Sequence, residues 1–219
     1  MAEKAGNGAL FEAGGQKTFL TGRPHREFAA PKELDRHGPA KIISMVNQKG
    51  GVGKTTSPIN LGASLVEQGR KVLLVDLDPQ GALSAGLGVP HDEDQVTVYD
   101  LLFDNTASIH AAIKHSKVSG LDLVPANIDL SAAEIQLVNE VGREHTLARA
   151  LRPVRGEYDY IFIDCGPSLG LLTVNALAAS QGVIIPMEGE YYSLRGLALL
   201  TDTVEKVRDR INFDLDIVG

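Results

Sequence analysis

The run Asn47-Gln48-Lys49-Gly50-Gly51-Val52-Gly53-Lys54-Thr55-Thr56 concentrates the chemistry of this sequence. Gly50, Gly51 and Gly53 lack the Cβ atoms that would hold a polyphosphate away from the backbone, so their N–H groups can converge on it. Lys54 has the length to reach β- and γ-phosphates, and the Thr55 hydroxyl can ligate Mg²⁺. A helix expected to start at Lys54 adds the positive end of its dipole. A glycine-rich turn with no ligand needs neither the Gly-Lys-Thr run, nor the apolar β-type segment before it, nor the helical pattern after it. The spacing therefore predicts nucleotide binding. Gln48 stands where the ordinary P-loop pattern has glycine, and Lys49 is an extra cation that the residues alone read as a solvated turn lysine.

Three acids fall where such a loop could use them. Asp76 ends the apolar run 71–76 and Asp78 follows it, and Asp164 ends the run 160–164. In doubly wound sheets ligands bind outside the carboxyl ends of the strands, which brings all three toward the loop. Asp164 has the β-rich approach and terminal acid of a Walker B element, and its expected role is to hold Mg²⁺ through water. The competing role for each acid is a strand-end cap or turn former. Cys165 has no histidine partner in view and reads as a small core residue.

The elements that must position these groups follow from periodicity. Residues 41–47, 71–76, 121–125, 158–164 and 182–186 read as strands, and 214–219 begins another. Helices are expected at 54–68, 129–151, 169–179 and 194–211. This alternation predicts an α/β fold: a doubly wound, mostly parallel sheet with helices on both faces, the three-layer sandwich of P-loop NTPases. Pro58, one turn into the first helix, is expected to distort it locally at some cost in stability. The helix at 194–211 carries Arg195, Lys206, Arg208 and Arg210 among Asp202, Glu205 and Asp209, and reads first as a solvated face. Residues 1–39 are rich in Gly and Pro without periodicity and are expected to form a disordered arm ahead of a 40–219 domain. In that arm Arg23, His25, Arg26, Lys32 and Arg36 could alternatively touch a phosphate backbone. A strand at the end of the chain is expected to lead into a further helix, so the C-terminal part of the domain is expected to be missing.

Composition narrows the class. The 219 residues are 43% hydrophobic, enough for a sizeable core, and carry 21 basic against 28 acidic side chains for a net charge of -7. That balance argues against a generally basic nucleic-acid binder, and the absence of Trp weakens a base-stacking platform. No apolar run approaches the ~20 residues of a membrane span, and the first ten residues lack a signal-peptide layout. A cytoplasmic protein without a membrane partner is expected. One cysteine excludes a disulfide framework or a cysteine-rich metal centre within the chain.

Residues 49–56 together resemble the deviant Walker A motif of the ParA/Soj/MinD ATPases. The run Asp78-Pro79-Gln80-Gly81 is similar to the family's first switch. Asp164-Cys165-Gly166-Pro167-Ser168-Leu169-Gly170 resembles the switch after Walker B, with Gly166 where many relatives carry proline. The segment Met187-Glu188-Gly189-Glu190-Tyr191-Tyr192-Ser193-Leu194-Arg195-Gly196-Leu197 resembles one typical of chromosomal ParA/Soj proteins. The resemblance covers most of 40–219. It implies binding by Lys49, Gly50, Gly51, Val52, Gly53, Lys54, Thr55 and Thr56, catalysis by Lys49, Lys54 and Asp78, and Mg²⁺ at Thr55 and Asp164. Asp78 would orient the attacking water, and Lys49 would reach the phosphates of a partner subunit in an ATP-sandwich homodimer. It further implies non-specific DNA binding, with determinants largely after residue 219, a ParB-like partner that stimulates hydrolysis, and nucleoid association. The alternatives are a MinD-like membrane-associated ATPase that regulates division-site placement and a nucleotide-binding scaffold without turnover. An electron carrier of the nitrogenase iron-protein type would need two cluster cysteines per chain, and Cys165 stands alone.

Overall fold

The computed structural model describes residues 10–13, 16–19, 31–89, 94–189 and 193–219, with side chains from residue 31 onward except at 193–195. The chain divides into two compact units, Met1–Glu33 and Leu34–Gly219. In the first, β1 (Leu10–Ala13) pairs antiparallel with β2 (Gln16–Phe19). Arg23, His25 and Arg26, the basic residues considered for a phosphate-binding arm, lie outside the described residues.

The second unit is built on a seven-stranded sheet. Its strands are β3 (Lys41–Met45), β4 (Val72–Leu77), β5 (Lys114–His115), β6 (Leu121–Val124), β7 (Tyr160–Cys165), β8 (Gly182–Ile184) and β9 (Asp216–Ile217), in the spatial order β5-β6-β4-β7-β3-β8-β9. All neighbours are parallel except β5 against β6. From β3 the chain crosses to β4, on to β6, returns to fill the gap with β7, then passes to the other side with β8. The carboxyl ends of β3, β4 and β7 are thereby gathered where the winding reverses, the place at which such sheets bind ligands.

Strand periodicity divides the core between the two faces. Ile43, Met45, Val72, Leu74, Leu121, Leu123 and Phe162 point to one side, with Ile59 and Val66 of α1 (Thr56–Glu67) packed against them. Ile42, Leu73, Val75, Leu77, Ile161 and Ile163 point to the other. That second face is covered by α3 (Val98–Phe103), α5 (Leu130–Gln136), α6 (Thr146–Leu151), α7 (Leu171–Ala179) and α8 (Ser193–Arg210), contributing Leu102, Leu130, Leu151, Leu172 and Val204 among others. Every residue of β4 is buried, as a strand covered on both faces requires. The doubly wound sandwich expected from the sequence is therefore the fold observed.

Several boundaries differ from expectation, each for a local reason. The helix expected at 129–151 is interrupted: α5 runs into a 3₁₀ turn at Leu137–Asn139, Glu140 is extended, and Gly142 takes φ 65° before a second 3₁₀ turn leads into α6. Glu140 ends the helical run, and the left-handed Gly142 turns the chain into the next element so that Leu147 and Leu151 still reach the core. The first helix starts at Thr56 rather than Lys54. Buried Pro58 has no amide to donate to the Lys54 carbonyl, while Ser57 N–H closes the preceding turn on Gly53 O at 2.9 Å. Short elements absent from the sequence reading are α2 (Ala82–Gly86), α3, α4 (Ile109–Ala112) and β5. The start of α3 was signalled by Thr97 and Asp100, whose carboxylate accepts the Thr97 amide at 2.7 Å, but six residues give too little periodicity to read. No helix among the described residues is long and apolar enough to cross a membrane.

Candidate functional site

The loop from β3 to α1 turns on glycines that the chain itself only partly needs. Gly51 and Gly53 sit at φ 76° and 90°, a conformation unfavourable for residues with a side chain. Gly50 has no such constraint, and a Cβ there or at Gly51 would meet no protein atom within 4 Å. Gly50 is therefore not dictated by internal packing, as expected where the backbone must be approached from outside. Lys54 is folded back under the loop, 8% exposed, its ammonium donating to the Lys49 carbonyl at 2.7 Å. That bond closes the loop into a cradle and keeps the positive charge at its centre.

Lys49 projects from the rim. Its backbone N–H donates to Asn47 Oδ1 at 2.9 Å, and Asn47 Nδ2 donates to Pro186 O at 2.7 Å, tying the loop to the segment that follows β8. The Lys49 ammonium pairs with Glu188 at 2.7 Å, with both side chains about half exposed. Of the segment 187–197, Glu190, Tyr191 and Tyr192 lie outside the described residues. In α8, Lys206 donates to Asp202 at 2.6 Å and Arg208 faces Asp209 at 3.7 Å, the self-paired arrangement of a solvated helix face.

The three acids have distinct surroundings. Asp76 is fully buried and accepts from Asp78 N–H at 3.2 Å, Ser84 N–H at 2.9 Å and Ser84 Oγ at 2.7 Å. Burial raises its carboxyl above the ordinary range, although the Ser84 donors oppose the shift. Its position anchors the turn that carries Asp78 and the start of α2. Asp78 accepts the Gln80 amide at 3.0 Å, and its carboxyl faces Gly166, where a Cβ would lie 3.5 Å from Asp78 Cγ.

Asp164 is the exception among buried acids. It is 1% exposed, and neither carboxylate oxygen has a hydrogen-bond partner. Burial pushes it up to about 7; the Thr55 hydroxyl and Lys54 charge favour the ionised form, while Asp76 and Asp78 oppose it. A buried carboxylate with both oxygens unsatisfied is costly unless something outside the chain completes it. The described residues contain no cluster of three or more His, Cys, Asp or Glu able to enclose a metal. The donor set, one hydroxyl and one carboxylate, instead fits Mg²⁺, which keeps several waters and takes other ligands from phosphate oxygens. Cys165 is buried, and burial pushes its thiol upward, which suits a core residue rather than a nucleophile.

Lys49, Gly50, Gly51, Val52, Gly53, Lys54, Thr55, Thr56, Asp78 and Asp164 thus lie at or just beyond the carboxyl ends of β3, β4 and β7. Sequence reasoning missed the groups that hold them: Asn47, Ser84, Glu188 and Glu134 of α5. Glu134 accepts Leu171 N–H at 2.9 Å and Ser168 Oγ–H at 3.3 Å beside the loop that follows Asp164. A strand-terminal asparagine two residues before Lys49 was the one readable signal among them, as an Asx turn.

Comparison with known proteins agrees with this geometry. The AAA domain family matches residues 40–217. An uncharacterised protein of Mycobacterium tuberculosis is 68% identical over 200 residues, covering 91% of this chain and 63% of that protein, so the chain spans just under two thirds of this relative's length. The sporulation initiation inhibitor protein Soj of Bacillus subtilis is 53% identical over 179 residues, covering 82% of this chain and 70% of Soj. Among solved structures, cobyrinic acid a,c-diamide synthase from Mycobacterium smegmatis, with bound ADP and magnesium, superposes with a TM-score of 0.78 at 44% identity, covering 82% of this chain and 73% of that one. A plasmid partition protein from Borrelia burgdorferi gives 0.70 at 33% identity, covering 81% and 76%. With the deviant phosphate loop, the switch segments and these relatives in agreement, the chain belongs to the ParA/Soj family of P-loop proteins.

Proposed function

We propose that the chain is the nucleotide switch of a ParA/Soj-type partitioning ATPase, acting in chromosome or plasmid segregation, with residues 40–219 as its ATPase domain. The observation that carries this reading is Asp164, buried beside the phosphate loop with both oxygens unsatisfied. ATP enters with its phosphates on the backbone N–H groups of residues 50–54, at the positive end of α1. Lys54 exchanges the Lys49 carbonyl for the β- and γ-phosphates. Thr55 binds Mg²⁺ directly and Asp164 holds it through water; when bound, the ion offsets charge on the transferring phosphoryl group. Asp78 accepts a hydrogen bond from the attacking water and orients it in line with the γ-phosphate.

In this reading Lys49 leaves Glu188 and reaches the phosphates held by a second copy of the chain, so two chains enclose two nucleotides. The paired state holds non-specific DNA, which places the protein on the nucleoid in the cytoplasm, and a ParB-like partner accelerates hydrolysis and release. Light scattering in Mg²⁺–ATP and in Mg²⁺–ADP tests the switch. The expected result is a monomer with ADP whose mass doubles with ATP. A single mass in both states, together with no ATP binding, would refute the reading.

A further inference from the structure

The loop that follows Asp164 has a carboxylate from another element near each end. At its start Gly166 lies against Asp78. At its end Glu134, reaching across from α5, accepts the N–H of Leu171, the first residue of α7, and also the Ser168 hydroxyl. The Ser168 carbonyl in turn accepts Thr173 Oγ1 at 2.6 Å, so the last turn of the loop is fixed from both sides. A carboxylate on the free N–H groups of a helix start is favoured by charge and by the dipole.

Gly170 shows that the contact shapes the sequence. Its φ of -84° and ψ of -163° are ordinary extended backbone that any residue adopts, so conformation does not demand glycine there. The contact does: a Cβ on Gly170 would overlap the Glu134 carboxylate, the far end of a flexible side chain, so a larger residue would push that carboxylate off Leu171 N–H rather than move backbone. Asp78, Pro79, Gln80, Glu134, Gly166 and Ser168 line one cleft.

We propose that Glu134 is a positioning residue that sets the loop 166–170 against Asp78 and Asp164, and so governs turnover rather than nucleotide affinity. Glu134 acts through the Leu171 amide and the Ser168 hydroxyl, and Gly170 exists to admit it. The inference deepens the proposed function and rests on it for its kinetic arm.

The test uses the full chain and the variants Glu134→Ala, Glu134→Gln, Gly170→Ala and the Glu134→Ala/Gly170→Ala pair. Glu134→Ala is expected to lower kcat about ten-fold, because a small displacement of a positioning loop has that scale of effect, while KM and the affinity for a fluorescent ATP analogue stay within about two-fold. Glu134→Gln retains an acceptor for Leu171 N–H and restores most of the rate. Gly170→Ala reproduces the loss in the otherwise unchanged chain but adds nothing in the Glu134→Ala background, where the carboxylate it would strike is gone. Unchanged kcat in Glu134→Ala, or a Gly170→Ala loss of the same size in both backgrounds, would overturn the inference.

Amide hydrogen exchange judges the inference independently of turnover. AMPPNP with Mg²⁺ should slow exchange across 166–171 in the unchanged chain and in Glu134→Gln, but not in Glu134→Ala. Equal slowing in all three overturns it. An unchanged chain that binds AMPPNP and shows the expected exchange pattern, yet never hydrolyses ATP, sinks the ATPase reading and leaves Glu134's positioning role standing.

Discussion

Replacing Asp164 with asparagine should stabilise the folded chain while removing its affinity for Mg²⁺. The carboxyl lies at about 7 in the fold against an ordinary value of 3.8, because burial and the charges of Asp76 and Asp78 outweigh the Thr55 hydroxyl and Lys54. Between those two values the unfolded chain has already lost its proton and the folded chain still holds one. Stability contributed by the neutral, buried form is therefore lost as pH rises from about 4 to about 7. Once ionised, the group costs the fold about 4 kcal/mol by linkage, at ~1.4 kcal/mol for each tenfold change in proton affinity. Asparagine is of similar size, equally unsatisfied and does not titrate. Its advantage over aspartate should grow by about 3 kcal/mol between pH 5 and pH 8. The assay is urea unfolding of both chains in EDTA, without nucleotide, at pH 5, 6, 7 and 8. Unfolding free energies that differ by the same amount at every pH would refute the reasoning, because they would mean that Asp164 is solvated or paired in the fold. With ATP and Mg²⁺ present the gap at pH 8 should narrow, because the ion stabilises only the chain that keeps its aspartate. Melting that depends on Mg²⁺ should accordingly be seen in the unchanged protein and be absent from Asp164→Asn.

Lys54→Ala should reduce affinity for a fluorescent ATP analogue by about a hundred-fold, since a charge-assisted contact inside the cradle is lost; unchanged affinity would remove the phosphate-loop assignment. Lys49→Ala should spare most of that affinity but suppress the ATP-dependent doubling of mass in light scattering, and normal doubling would refute its role across the dimer. Asp78→Ala should bind ATP and retain it with turnover reduced about a hundred-fold or more. Wild-type phosphate release in that variant would sink the water-orienting role.

The phosphate loop was legible because its work is local. Glycine conformation, the reach of Lys54 and the start of α1 all follow from residues within one turn of each other, and the positive φ at Gly51 and Gly53 is what that reading requires. The β4 and β7 runs were equally clear, since strands covered on both faces are apolar throughout. The break at Glu140 and Gly142 was less clear: apolar residues before and after it keep a helix-like spacing that hides one extended and one left-handed residue. Pro58 was visible, but the sequence located only the missing amide. The fold shows the consequence, a helix that begins two residues later with the turn at Gly53 still closed.

The sequence by itself determined the class of ligand, the order of strands and helices along the chain, and the identities of Lys54, Asp78 and Asp164 as candidates. Only the tertiary structure decided what surrounds each acid. Three aspartates stand at strand ends in the sequence, yet Asp76 is satisfied by Ser84, Asp78 faces Gly166, and Asp164 is buried beside Thr55 and Lys54 with neither oxygen hydrogen-bonded. Glu134 and Gly170 are 36 positions apart and meet only because parallel strands send the chain over a helix before it returns to the neighbouring position in the sheet. Propensity and spacing act over a few residues. Burial and hydrogen-bond satisfaction are properties of the space between segments, and that space exists only once the sheet has been wound.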